Sequence, residues 1–119
     1  MHREAPEIQF RLRIVKGEDI AVGPGKVDLL EAIGTTGSIS AAAKALGMSY
    51  RRAWLLVDTM NRCFAEPVVA TEAGGAHGGG TRLTATGAEV VRRYRSAQSK
   101  AAKASAADVA ALSGLLRRA

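Results

Sequence analysis

Two adjacent arginines near the middle of the chain carry its most specific chemistry. Arg51 and Arg52 come directly after Ser49 and Tyr50, and Leu55 follows one helical turn later. A guanidinium group can donate two parallel hydrogen bonds to O6 and N7 of guanine, and a leucine side chain can contact the methyl group of thymine. These residue types at this spacing therefore suit contact with the edges of bases in double-stranded DNA.

The arginines need a helix to present them, and the pattern after Ser49 predicts one. Ser49 is expected to cap this helix with its hydroxyl group. At 100° per residue, an apolar stripe forms that must face the core, consisting of Ala53, Leu56, Val57, Met60 and Phe64. Arg51, Leu55, Asp58 and Arg62 lie nearly opposite, with Arg52 and Trp54 on the flanks.

The segment before Ser49 predicts a first, shorter helix and a tight turn. We expect Ser40 to cap the first helix, the small residues Ala41–Ala43 to allow a close helix crossing, and Leu46 to anchor it in the core. Gly47 can take the left-handed conformation that ends a helix. Residues 37–58 together predict a helix-turn-helix, whose second helix reads the major groove. The alternative is a solvated face on an ordinary helical hairpin.

The residues before this unit predict small elements that support it. Strict alternation over residues 8–14 predicts a half-buried strand with Ile8, Phe10, Leu12 and Ile14 directed inward. Residues 20–22 are expected to pair back as a second short strand, and residues 26–34 to form a helix.

The residues after it predict a β-hairpin wing. Two strand-like segments, 68–71 and 81–84, flank the loop 72–80, in which five of nine residues are glycine. Accessible backbone N–H groups in such a loop suit phosphate, and Arg82 suits phosphate or the minor groove. The alternative is a hairpin tip that binds nothing. The candidate DNA-contacting residues are Ser38, Ser49, Tyr50, Arg51, Arg52, Trp54, Leu55, Arg62, Gly78, Gly79 and Arg82.

The C-terminal part predicts a long helix. Thr86 and Glu89 form a capping box, and the alanine-rich stretch that follows favours a helix that continues or is briefly interrupted. We expect its thin apolar stripe to pack on a second copy of the chain, the alternative being a frayed basic tail. The predicted fold is mainly α with small β: a winged helix-turn-helix over residues 1–95, with an N-terminal strand, and a helical dimerisation extension over residues 96–119.

Charge and composition leave two other classes of function open. The net charge is +6, and residues 92–119 carry seven basic residues against one acidic residue. A basic helix could bind any nucleic acid through its phosphates, without sequence preference. A protein-interaction module that docks another regulator is the third class.

Enzyme chemistry is not expected. The sequence shows no paired carboxylates, no nucleophile with a base, and no lysine after the glycine-rich loop that would suit nucleotide phosphates. His2, His77 and Cys63 lack the spacing of metal ligands, and the single Cys63 is expected to be buried and inert. No cofactor is predicted. Without an apolar leader or a membrane-spanning run, we expect a cytoplasmic protein.

Residues 7–100 resemble the N-terminal DNA-binding domain of the molybdate-responsive ModE regulators. The resemblance is carried by residues 37–44, by residues 49–54 with Met60-Asn61, and by the glycine-rich segment that ends in Leu83-Thr84 and Gly87. The helix-turn-helix part is also similar to that of LysR-type regulators.

The resemblance implies a homodimer that binds palindromic operator DNA and controls molybdenum-related genes. It places Ser49, Tyr50, Arg51, Arg52 and Trp54 in the recognition helix, and residues 74–82 in the wing. Members of the family carry molybdate-binding domains after this region, and 119 residues leave no room for them. We therefore expect that this chain does not itself bind molybdate.

Overall fold

Five helices and two antiparallel hairpins make up the part of the chain that the computed structural model describes, residues 5–72 and 80–118. In chain order the elements are β1 (Ile14–Lys16), β2 (Asp19–Val22), α1 (Pro24–Thr36), α2 (Ile39–Ala45), α3 (Tyr50–Cys63), β3 (Val69–Thr71), β4 (Thr81–Leu83), α4 (Ala85–Ala104) and α5 (Ala106–Gly114). This arrangement is a winged helix-turn-helix, as the sequence predicted, with β3 and β4 forming the wing.

One apolar core holds α1, α2, α3 and the start of β3 together. Its members are almost completely shielded from solvent, and they are Leu29, Leu30, Ile33, Ile39, Ala42, Ala43, Ala53, Val57, Met60, Val68 and Val69. The small side chains of Ala42 and Ala53 let α2 and α3 approach closely. The predicted inner stripe of α3 is confirmed for Ala53, Val57 and Met60, whereas Leu56 and Phe64 are only partly buried.

The N-terminal strand is much shorter than predicted. The described chain is irregular from Ala5 to Arg13, and Ile8, Leu12 and Ile14 are exposed instead of facing a core. A strand needs a partner for its backbone groups, and β2 is only four residues long and begins directly after the turn at Gly17. Ile14 pairs with Val22 and Lys16 with Asp19, at the two ends of β2. No residue of β2 is therefore left to pair with residues before Ile14. The predicted second strand over residues 20–22 is confirmed.

Two predicted helix caps are displaced by two residues each. Ser38, not Ser40, caps α2, because Gly37 takes a left-handed φ of 70° and leaves Ser38 as the extended residue whose hydroxyl accepts from the Ala41 N–H. Thr84, not Thr86, caps α4: its hydroxyl accepts from the Gly87 N–H and donates to the Pro67 carbonyl. The carboxylate of Glu89 binds arginines of α4 and makes no capping contact.

The C-terminal part is helical with one brief interruption, as predicted. Ser105 separates α4 from α5, and the predicted boundary between residues 95 and 96 falls inside α4. The radius of gyration is 17.6 Å and the principal extents are 58 × 35 × 24 Å. A compact chain of this length would have a radius of gyration of about 13.5 Å. The α5 helix has no buried residue, and Leu112, Leu115 and Leu116 are exposed.

Candidate nucleic-acid interface

The turn between α2 and α3 is fixed by backbone geometry and by the serine cap of α3. Gly47 has a φ of 68°, and the Met48 N–H reaches back to the Ala43 carbonyl at 3.0 Å. Ser49 then accepts a hydrogen bond from the Arg52 N–H at 3.1 Å and starts α3, as predicted. The prediction that Leu46 anchors the first helix in the core is wrong: Leu46 is exposed, and Met48 packs against the core.

The first two turns of α3 present an exposed face of mixed chemistry. Tyr50, Trp54 and Leu55 are 55%, 48% and 47% exposed, and Arg51 and Arg52 are exposed beside them. The opposite side of the same turns carries the fully buried Ala53. Burial of one side therefore fixes which side chains face outward, and these five are all among the predicted contact residues.

The guanidinium groups of Arg51 and Arg52 form no salt bridge within residues 5–72 and 80–118. Arg52 lies near enough to Lys26 of α1 for the two positive charges to repel each other. Partial burial lowers the pKa of Lys26, and the positive charge of Arg52 adds to that lowering. This end of α3 thus carries positive charge that no carboxylate of the described chain neutralises.

Arg62 lies in a different environment from Arg51 and Arg52. Its Nε donates to Asp58 at 3.1 Å, and its Nη1 lies 3.6 Å from a carboxylate oxygen of Asp19 in β2. The hydrogen bond to Asp58 raises the pKa of Arg62. Eleven residues separate Arg51 from Arg62, which corresponds to about 16 Å along a helix. The two arginines therefore lie too far apart to contact the same base pair, and Arg62 joins α3 to the first hairpin.

The wing is tied to the helix-turn-helix through polar contacts that the sequence reasoning missed. The side-chain oxygen of Asn61 accepts from the Val68 N–H at 2.8 Å, and its amide donates to the Val69 carbonyl at 3.2 Å. On the other side of the wing, the Thr81 N–H donates to the Gly37 carbonyl at 3.0 Å. In the sequence, Asn61 contributes only to the family resemblance. The sequence signal for this contact is the position of Asn61: a side-chain amide near the end of α3 and a few residues before β3 can bind the backbone of that strand.

Arg82 lies on β4 and is exposed, but its Nε is 3.2 Å from a carboxylate oxygen of Glu72. Any contact of Arg82 with a phosphate must therefore compete with Glu72. The predicted contacts at Gly78 and Gly79 fall outside the described residues. Ser38, also among the predicted contacts, lies where α2 begins, and its hydroxyl is engaged as the helix cap.

The arginines of α4 are largely occupied within the molecule. Arg92 and Arg93 both bind Glu89, which lowers the pKa of that carboxyl. Arg95 binds Asp28 and Glu31 of α1, and the hydrogen bond to Glu31 contributes most to raising the pKa of Arg95. Three of the seven basic residues beyond position 91 are thus paired, which reduces the basic surface available to a polyanion.

Besides the exposed apolar side chains of α3, apolar surface is exposed at the N-terminal segment and on α5. A groove of about 470 Å³ is lined mainly by apolar side chains, including Leu12, Ile14, Val90, Tyr94 and Ala97. The Tyr94 hydroxyl donates to the Leu12 carbonyl at 2.7 Å, and burial raises its pKa. Cys63 is half-buried and not enclosed as predicted.

The described residues hold no group of three or more His, Cys, Asp or Glu side chains placed to bind a metal ion. Nor does any helix among them combine the length and the apolar character needed to cross a membrane.

Comparison with known proteins points to one group of regulators, although no model of a known protein family matches the chain. The molybdenum transport protein ModE of Azotobacter vinelandii is 46% identical over 89 residues, covering 73% of this chain and 33% of that protein. The molybdenum-pterin-binding protein MopB of Rhodobacter capsulatus is 46% identical over 82 residues, covering 69% and 30%. The DNA-binding transcriptional dual regulator ModE of Escherichia coli is 38% identical over 88 residues, covering 74% and 34%. The chain thus spans about a third of the length of these curated relatives.

Proposed function

Over most of its length this chain is a ModE-type sequence, and from that premise we propose that it is a sequence-specific, DNA-binding transcriptional regulator. The relative in Escherichia coli is named as a DNA-binding transcriptional regulator. A regulator of this kind needs a surface that reads bases and a scaffold that holds it. No catalytic step is part of this proposal.

One observation supports DNA as the partner above all others. The outward face at the start of α3 carries Arg51 and Arg52, which no described carboxylate neutralises, while the inward face is locked into the core through Ala53, Val57 and Met60. In a helix-turn-helix, this end of the second helix is the part that meets base edges in the major groove. The free guanidinium groups can then bind guanine edges or phosphates.

We further propose that the chain acts as a homodimer on an inverted repeat. The apolar groove beside Tyr94 and the exposed leucines of α5 are apolar surfaces that a second copy of the chain could cover. Two copies that cover these surfaces would present two α3 helices, which requires half-sites about one helical turn, or a multiple of it, apart. Size-exclusion chromatography with light scattering measures this directly. Leu112→Asp with Leu116→Asp should shift the mass to that of one chain.

Molybdenum enters the proposal through the names of the relatives. Two of them are named for molybdenum transport and for binding of molybdenum-pterin. We propose that the genes controlled by this chain concern molybdenum, and that the chain binds its operator without binding molybdate itself.

The test is selection of binding sites from random duplex DNA by the full chain, followed by affinity measurements with and without molybdate. Trp54 is the only tryptophan and lies exposed on the proposed interface, so its fluorescence should change on specific binding. We expect an enriched inverted repeat that is bound equally with and without molybdate. Failure to enrich any sequence would contradict the proposed function. Binding that needs molybdate would contradict only the molybdate-independent part.

A sequence-independent binder remains the second candidate, because four basic residues of the C-terminal part form no salt bridge in the described chain: Lys100, Lys103, Arg117 and Arg118. The variant Lys100→Gln with Lys103→Gln separates the two candidates. Under the leading proposal it keeps its preference for the selected site over random DNA. Under the alternative, the unchanged protein already binds the selected site and random DNA equally. The variant then binds both more weakly and with a shallower salt dependence.

A further inference from the structure

The exposed face of α3 contains more apolar surface than arginine-based recognition needs. Tyr50, Trp54 and Leu55 lie together around Arg51 and line a shallow depression of about 480 Å³ with mostly apolar walls. Each of the three is about half exposed. The spacing of four residues, from Tyr50 to Trp54 and from Arg51 to Leu55, sets them in two neighbouring rows on the helix surface.

This cluster has no partner within the described chain. The side chains of the core lie on the other face of α3, and the wing is attached near Asn61 at the far end of the helix. Grouped apolar side chains in water mark a surface that something else covers. The cluster is separate from the apolar groove beside Tyr94, which is lined by α4 and the N-terminal segment.

The size and charge of the cluster favour a DNA groove over a protein partner. A stable protein–protein interface buries more than about 1,000 Å² in total, far more than four side chains of one helix end supply. Arg51 and Arg52 border the cluster without neutralising carboxylates, which favours a polyanion. In the major groove the one apolar group on a base edge is the methyl group at C5 of thymine. 5-Methylcytosine carries a methyl group at the same ring position.

We propose that Tyr50, Trp54 and Leu55 read C5-methyl groups of pyrimidines that neighbour the base contacted by Arg51. The inference rests on the proposed function and deepens it, because it names the chemical feature of the DNA that the helix recognises besides hydrogen-bonding groups. In the operator half-site, a guanine then lies next to pyrimidines that carry C5-methyl groups. Affinity depends on the methyl groups themselves.

Base analogues test this without changing the protein. The selected operator is synthesised with deoxyuridine in place of each thymine in turn, which removes one methyl group and leaves every hydrogen-bonding group in place. Affinity should fall about fourfold for each contacted methyl group, as expected for burial of one carbon group. Replacement of thymines outside the half-sites is the matched control and should change nothing. A cytosine at a thymine position next to the guanine should bind more tightly once it carries a C5-methyl group.

Protein variants then assign the methyl contacts. With Leu55→Ala, the loss caused by deoxyuridine should disappear at one position of the half-site, and with Trp54→Ala at another, because the partner side chain is already gone. Both side chains are half exposed, so thermal unfolding should stay near that of the unchanged protein. Equal affinity of the thymine and deoxyuridine operators would overturn this inference and leave the proposed function standing. If no duplex is bound specifically, both are overturned.

Discussion

The arginines at the start of α3 and those of α4 are the same residue type in opposite situations. Arg51 and Arg52 extend from the exposed face of a helix whose other face is buried, and they bind no described carboxylate. Arg92, Arg93 and Arg95 are engaged by Glu89, Asp28 and Glu31. Net charge alone would favour the more basic C-terminal part as the nucleic-acid-binding region. The pairing pattern instead supports the proposal that α3 binds DNA, and it gives Arg95 of α4 a role in joining α4 to α1.

The largest effect on stability is expected from a substitution in the first turn of α4. An added Cβ at Gly87 would lie 2.0 Å from the Val68 carbonyl oxygen, a backbone atom that cannot rotate away. We expect Gly87→Ala to lower the free energy of unfolding by about 3 kcal/mol or more. Chemical denaturation measures this. Gly80→Ala is the matched control, because nothing lies near that position. Equal stability of the two variants would show that α4 does not pack as described.

The recognition role of α3 should be broken by Arg51→Ala. We expect a loss of about 1–3 kcal/mol in affinity for the selected operator, with a smaller loss on random DNA, because only base contacts distinguish the two. The unfolding free energy should be unchanged, since Arg51 is exposed and forms no salt bridge with the part of the chain that the structure describes. Fluorescence anisotropy on both kinds of duplex measures the affinities. An equal loss on the operator and on random DNA would remove Arg51 from base recognition.

Arg95→Gln should have the opposite effect to Arg51→Ala: it should lower stability and leave DNA recognition unchanged. It removes the salt bridges from α4 to Asp28 and Glu31 of α1, which are partly exposed and therefore worth about 1 kcal/mol or less. Stability should fall slightly, and the fall should shrink at high salt, while the preference for operator over random DNA stays the same. A loss of operator preference would mean that α4 takes part in recognition. The contrast between the arginines of α3 and those of α4 would then be wrong.

The smallest effect is expected at the wing. Arg82→Ala should weaken binding to operator and random DNA by similar, modest factors, because Arg82 must leave Glu72 before it can bind phosphate. The slope of log affinity against log salt should fall by about 0.9 if one phosphate contact is lost. Glu72→Gln is the informative counterpart and should strengthen binding, since it frees Arg82. No effect of either variant would exclude the base of the wing from DNA contact.

Periodicity made the central part of the molecule predictable. The stripe formed by Ala53, Val57 and Met60 follows from a single helix period, and the turn follows from Gly47 and Ser49. Other parts could not be predicted from the local pattern, because their structure depends on residues elsewhere in the chain. Residues 8–13 alternate like a strand, but β2 offers too few backbone groups to pair with them. Ser38 and Ser40 are equally good caps by residue type, and only the path of the chain out of Gly37 selects Ser38.

The sequence by itself determined the winged helix-turn-helix, its relation to the ModE regulators, and the face of α3 that carries Arg51, Arg52, Trp54 and Leu55. Those features depend on local spacing, which is the same in any context. Only the tertiary structure decided which charges are available, because a salt bridge such as that of Arg95 with Glu31 joins residues 64 positions apart. It also decided how Asn61 and Gly37 hold the wing. Contacts between distant residues depend on the packing of whole elements, and no local pattern encodes them.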